Sequence, residues 1–116
     1  MAVSLSLVDG FSMELPFERA AGELPRQLEE AIVMHLYSLP HNQIVLSGEL
    51  ALVSALERIE SVDQILLKEN DRQTKVGFVV RRLIEDEVVN ERLVGGRSVF
   101  KLSAKVAKAL QVPVGA

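Results

Sequence analysis

The chain has 116 residues, 48% of them hydrophobic and 25% charged, with a formal net charge of −3. That is the size of one domain, with enough apolar residues for a core of its own. It contains no cysteine, which excludes disulfides, thiolate catalysis and the common structural zinc sites.

Two histidines, His35 and His41, cannot build a histidine-rich metal site by themselves. The longest uncharged apolar run, residues 31–39, is interrupted by His35 and Ser38. It is far shorter than the roughly 20 residues that span a bilayer. The first ten residues lack a basic leader and carry Asp9, unlike a signal peptide. The expectation is a soluble, cytoplasmic protein without a membrane partner. No nucleophile–base pair, glycine-rich phosphate loop opening a helix or metal-ligand spacing is visible, so no enzyme, cofactor or metal is expected. The charge is uneven. Residues 1–60 hold three basic and nine acidic residues, residues 61–116 ten basic and seven acidic, so the halves stand at −6 and +3. Such asymmetry marks either a nucleic-acid-binding half or a chance segregation of solvated charge.

Val3, Leu5 and Leu7 alternate with Ser4 and Ser6, and Phe11, Met13 and Leu15 alternate with Ser12 and Glu14. Asp9-Gly10 between them predicts a β-hairpin over residues 3–15, because both central turn residues need positive φ. Pro16 ends it, and residues 17–24 read as a linker or a short helical turn. Pro25 suits the first turn of a helix over 27–39 that Pro40 stops. Leu28, Ile32, Leu36 and Leu39 form its stripe, and Ala31, Val33, Met34 and Tyr37 leave little polar face. A helix so apolar is buried on more than one side. Two placements fit: a homodimer interface through Ile32, Val33 and Leu36, or a central core helix covered by the hairpin. His35 beside the stripe reads as a hydrogen-bonded core histidine before a ligand or base, and His41 carries no role.

Residues 44–46 are a short strand. Ser47 is placed to cap a helix over 48–60 with Leu52, Val53, Leu56 and Ile59 on one face. Ser61 and Gln64 have capping-box spacing for a helix over 62–69, with Val62, Ile65 and Leu66 inward. Asn70-Asp71 breaks that helix and can cap the next. Over 72–87, Val76, Val79, Val80, Leu83 and Ile84 repeat as a clear amphipathic stripe, with Thr74, Lys75, Phe78, Arg81, Arg82 and Glu85 opposite. Phe78 there is either a partner contact or a packing residue against another helix. Gly95-Gly96 between β-formers is a two-residue hairpin signal. Ser103 caps a last helix over 104–110, and Val112-Pro113-Val114 forms a tail.

Helices followed by a β-hairpin make the order of a winged helix-turn-helix. Residues 79–103 resemble the end of many regulators of that superfamily through Leu83, Glu85, Arg92, Gly95-Gly96, Arg97, Phe100 and Leu102. The resemblance covers about residues 47–110, and the hairpin is its most specific part. It implies an α+β fold: a winged helix over 43–116, with the N-terminal β-hairpin and extra N-terminal helix of 1–42 as an accessory or dimerisation part. It also implies a dimeric transcriptional or replication-associated regulator that binds double-stranded DNA. Many members carry Gly between the recognition helix and the first wing strand, where Glu87 or Val88 stands here. Many have a small or apolar residue in the turn before that helix, where Asn70-Asp71 stands. These departures leave open the winged helices that bind proteins in larger assemblies.

Under the resemblance, Arg72 and Gln73 would read bases and Lys75 a phosphate, since the N-terminal residues of this helix approach base edges. A helix N-terminus also attracts phosphate. Arg97 at the wing tip would enter the minor groove or contact the backbone, and Lys101, Lys105 and Lys108 are further phosphate candidates. Arg81 is a candidate with an alternative: Arg81 and Arg82 precede Glu85 and Asp86 by four residues, the spacing of solvated helix pairs.

Overall fold

The computed structural model describes residues 4–8, 11–14 and 23–110, and they form an α+β protein. In chain order these are β1 (Ser4–Val8), β2 (Phe11–Glu14), α1 (Glu23–Ser38), a 3-10 turn (Pro40–Asn42), β3 (Gln43–Leu46), α2 (Glu49–Leu56), α3 (Glu60–Ile65), α4 (Arg72–Glu85), β4 (Val89–Val94), β5 (Arg97–Leu102) and α5 (Ala104–Leu110). The first two strands pair antiparallel, with Val8 opposite Phe11 and a register shift between Ser6 and Val8. The expected turn residues Asp9 and Gly10 lie outside the described residues, as do residues 15–22 and the C-terminal tail. The other three strands form one antiparallel sheet in the order β3-β5-β4.

The stripe read from the sequence of α4 is the stripe that is buried: Val76, Val79, Val80 and Leu83. It meets Leu28, Ile32, Val33 and Leu36 of α1, Leu52, Val53 and Leu56 of α2, and Phe100 and Leu102 of β5 in one cluster. Burying a side chain such as Phe100 stabilises the fold by about 1.5–3 kcal/mol. Helix α1 therefore sits inside this core, in contact with β1, α3, α4, β3 and β5. The dimer face expected from Ile32, Val33 and Leu36 is corrected here. Their exposure is 1%, 1% and 0% within the single chain, so those side chains have no surface left to give a second copy. Of the two placements the sequence allowed, the central core helix is the one formed.

Helix ends differ from their sequence signals in specific ways. Helix α1 begins at Glu23, four residues early, because Pro25 is tolerated anywhere in a first turn whose N–H groups are unbonded. The helix expected over 48–60 stops at Leu56. Ser47 does not cap it: Gly48 occupies that position with φ 130°, a region side chains avoid, and its carbonyl accepts from Leu52. The capping box of Ser61 and Gln64 does not form either. Ile59 packs against the core and stands at the N-cap, which starts α3 at Glu60 and puts Ser61 inside its first turn. Ser103 does cap α5, accepting from the Val106 N–H at 3.2 Å.

The junction between α4 and the hairpin explains the missing glycine. The N–H of Glu87 bonds the carbonyl of Ile84 at 3.1 Å, and the N–H of Val88 bonds that of Leu83 at 2.9 Å. This is a Schellman closure, with Leu83 and Val88 both buried in the core cluster. Its left-handed position is held by Glu87, at φ 61°. An L-residue there costs roughly 1–2 kcal/mol, offset in part by the lower unfolded-state entropy of a non-glycine residue. Glu87→Gly is expected to raise stability by about 0.5–1 kcal/mol and the thermal midpoint by roughly 2–6 °C. A scan by circular dichroism checks it, and a lowered midpoint would contradict the strain.

Candidate nucleic-acid interface

Two surfaces carry the candidate residues: the solvent side of α4 and the outer face of the β4–β5 hairpin. The Gly95-Gly96 turn has φ 57° and 81°, positive at both central positions as a primed two-residue turn requires. It pairs Val94 with Arg97, and that register carries down the hairpin to Arg92 opposite Val99 and Asn90 opposite Lys101. Side chains opposite one another share a face. Arg92, Arg97 and Lys101 are therefore on one side of the sheet, while Ser98, Phe100 and Leu102 of β5 are buried on the other. All three cations are exposed and form no ion pair among the described residues. Arg92 was not among the sequence candidates. Its signal was available, because a two-residue turn fixes the register and places residue 92 level with residue 99.

The cations of α4 are placed differently. Arg72 Nη2 donates to Asp63 Oδ1 at 2.5 Å and to the Glu57 carbonyl at 3.1 Å. Gln73 Nε2 donates to Glu57 Oε1 at 3.1 Å, and Lys75 Nζ to Glu69 Oε1 at 2.8 Å. Arg81 reaches Glu49 on α2 at 2.9 Å instead of Glu85 on its own helix, because α2 packs beside α4. Arg82 lies with its guanidinium carbon 5.9 Å from the centre of the Phe78 ring, a cation–π distance. Phe78 is 54% exposed, so it is not a packing residue against another helix. Each of the four α4 candidates, Arg72, Gln73, Lys75 and Arg81, is thus bonded to a carboxylate of the same chain. The two hairpin candidates, Arg97 and Lys101, are not.

Between α2 and α4 runs an open groove lined by Leu50, Val53, Thr74 and Gly77 and flanked by the Glu49–Arg81 pair. Leu50 on its rim is almost fully exposed. A second groove lies between α1 and α3, where His35 is partly buried beside Met34, Ser61 and Ile65. Burial lowers the pKa of His35 below its ordinary value of 6.5. Among the described residues no group of three or more histidine or acidic side chains is arranged to hold a metal ion. No helix among them is long and apolar enough to cross a membrane.

Arg72 ties the start of α4 to α3 and to the end of α2, and its side chain and that of Asp63 are 33% and 42% exposed. Discounting for solvent, Arg72→Ala is expected to cost about 1 kcal/mol. Arg97→Ala is expected to change stability by less than about 0.5 kcal/mol, and urea unfolding of both variants checks the contrast. For His35, the unfolded chain binds the proton more readily than the native state. Its contribution is therefore unfavourable at acid pH and is relieved as pH rises through the lowered native pKa to about 6.5. His35→Gln is expected to flatten that part of the stability profile, as unfolding midpoints from pH 5 to 8 would register. Comparison with known proteins yields no relative: no family model matches the chain, and no curated protein or solved structure matches it.

Proposed function

We propose that the chain is a winged helix-turn-helix protein that binds double-stranded DNA, with the β4–β5 hairpin as its wing and α4 toward the major groove. A role as a transcriptional or replication-associated regulator follows from that reading. The observation that carries it is the arrangement of elements: a helix, a short strand, further helices and a hairpin, with the first strand beside the last in the order β3-β5-β4. The exposed cations Arg92, Arg97 and Lys101 on one hairpin face support it. They sit free to replace counterions on a phosphate backbone, which is where most affinity for DNA arises. A cytoplasmic location goes with this reading.

A second reading, a winged helix that binds a protein within a larger assembly, is favoured by the α2–α4 side. There the charges are already paired, and Leu50 and Phe78 are exposed. One experiment separates the two. Binding to a mixed-sequence duplex, followed by fluorescence anisotropy at several salt concentrations, should weaken steeply as salt rises, with a slope of roughly −0.9 per phosphate neutralised. Arg92→Ala, Arg97→Ala and Lys101→Ala should each reduce that slope by about 1. Absence of binding at low salt removes the DNA reading. Binding indifferent to Arg97→Ala and Lys75→Ala favours the protein-binding one.

A further inference from the structure

The first turn of α4 is occupied by its own chain. Gln73 and Lys75 are a base-reading amide and a phosphate-reading ammonium at the end of the helix that would enter the groove. They are held by Glu57 and Glu69, at 3.1 and 2.8 Å. A carboxylate presents the same kind of acceptor to Lys75 as a phosphate oxygen does. We propose that Glu69, with Glu57 beside it, acts as an intramolecular competitor for the nucleic acid, so that the wing binds first and α4 engages only after its side chains are released. This inference rests on the DNA-binding reading and assigns a regulation to that same surface.

Three observations carry it. The four α4 candidates are all bonded to carboxylates, whereas the wing cations have none among the described residues, so the suppression falls on one half of the surface. Glu57 and Glu69 lie in the turns that follow Leu56 and Ile65, and their bonds to Gln73 and Lys75 are made by side chains, so releasing them breaks no helix hydrogen bond. Arg72 is bonded to the Glu57 main-chain carbonyl as well as to Asp63. It is therefore the structural tie, and the start of α4 stays anchored when Lys75 and Gln73 let go. The Lys75–Glu69 pair is about one-third exposed on each side, so it biases the surface by a small factor and a phosphate can displace it.

The test uses the intact chain and a mixed-sequence duplex at low salt. Glu69→Gln is expected to bind about fivefold tighter than the unaltered chain, with a salt slope steeper by about 1, because Lys75 becomes available to a phosphate. The gain should vanish when Glu69→Gln is made in a Lys75→Met background. It should also exceed the gain from Glu85→Gln, which removes the same charge from the far end of α4. A gain that persists without Lys75, or one no larger than that of Glu85→Gln, overturns the competition and leaves only general repulsion. Equal affinity of Glu69→Gln and the unaltered chain, with binding still weakened and the salt slope lowered by Arg97→Ala, overturns it while the DNA reading survives. If neither the unaltered chain nor Glu69→Gln binds, the DNA reading itself has failed and the competition falls with it. Thermal midpoints within about 2 °C of the unaltered chain establish that each variant is folded.

Discussion

The relation between α4 and the hairpin depends on the main chain of one residue. The N–H of Val88 bonds the carbonyl of Leu83 at the end of α4, and its carbonyl accepts from the N–H of Ser103 at the start of α5. Its side chain is fully buried. Val88 therefore joins a helix end, a strand entry and a second helix start at one point. Every surface cation discussed above is attached to one of those three elements or to the strand paired with them. Because the closure uses two main-chain bonds and a buried contact, the angle between helix and hairpin is set by backbone geometry and is insensitive to the identity of exposed residues nearby. This is why Glu87 can replace a glycine in the turn: the strain of roughly 1–2 kcal/mol is less than the two hydrogen bonds and the burial of Leu83 and Val88 contribute together.

On that rigid junction the charge is divided by topology, beyond anything residue counts foresee. Among the described residues no carboxylate pairs with the cations on the outer face of the hairpin. Helix α4 lies among α2, α3 and the turns that follow them, and each contributes an acid within reach: Glu49, Glu57, Asp63 and Glu69. The +3 balance of residues 61–116 is therefore misleading about α4, since Arg81 is paired with Glu49 of the acidic first half. Individual partly exposed pairs are worth no more than about 0.2–1 kcal/mol. Their effect on the fold is therefore small.

What was legible in the sequence is what local chemistry decides. The α4 stripe, the Gly95-Gly96 turn and the Ser103 cap each follow from residues within a few positions of one another. All three are present as read. The failures at Ser47 and Ser61 have one cause in common. Both are good N-cap residues by type, but a neighbour with a stronger demand took the position. At Ser47 it was Gly48, the only type suited to φ 130°, and at Ser61 it was Ile59, drawn to the core. The bonds from α4 side chains to distant carboxylates were illegible for a different reason. Local reading looks for partners three or four residues away, whereas Arg81 finds Glu49 at 32 residues and Gln73 finds Glu57 at 16.

The fate of α1 follows from the same distinction between pattern and packing. A helix apolar on most of its circumference must be covered on most of it, and the pattern does not say by what. In a chain of this length the cover comes from within: α3 and α4, the sheet through β3 and β5, and β1 all contact α1. Among the described residues the exposed large apolar side chains lie elsewhere, at Val45, Leu50, Leu67, Phe78, Leu93 and Val94. Leu93 and Val94 stand at the hairpin tip next to Arg97, and Leu50 stands on the rim of the α2–α4 groove. Four of these six therefore lie on or beside α4 and the hairpin, which carry the candidate cations, while α1 is withdrawn into the core. Charge and exposed apolar area therefore meet at α4 and the hairpin tip, and α1 is the buried support packed against α4 and β5.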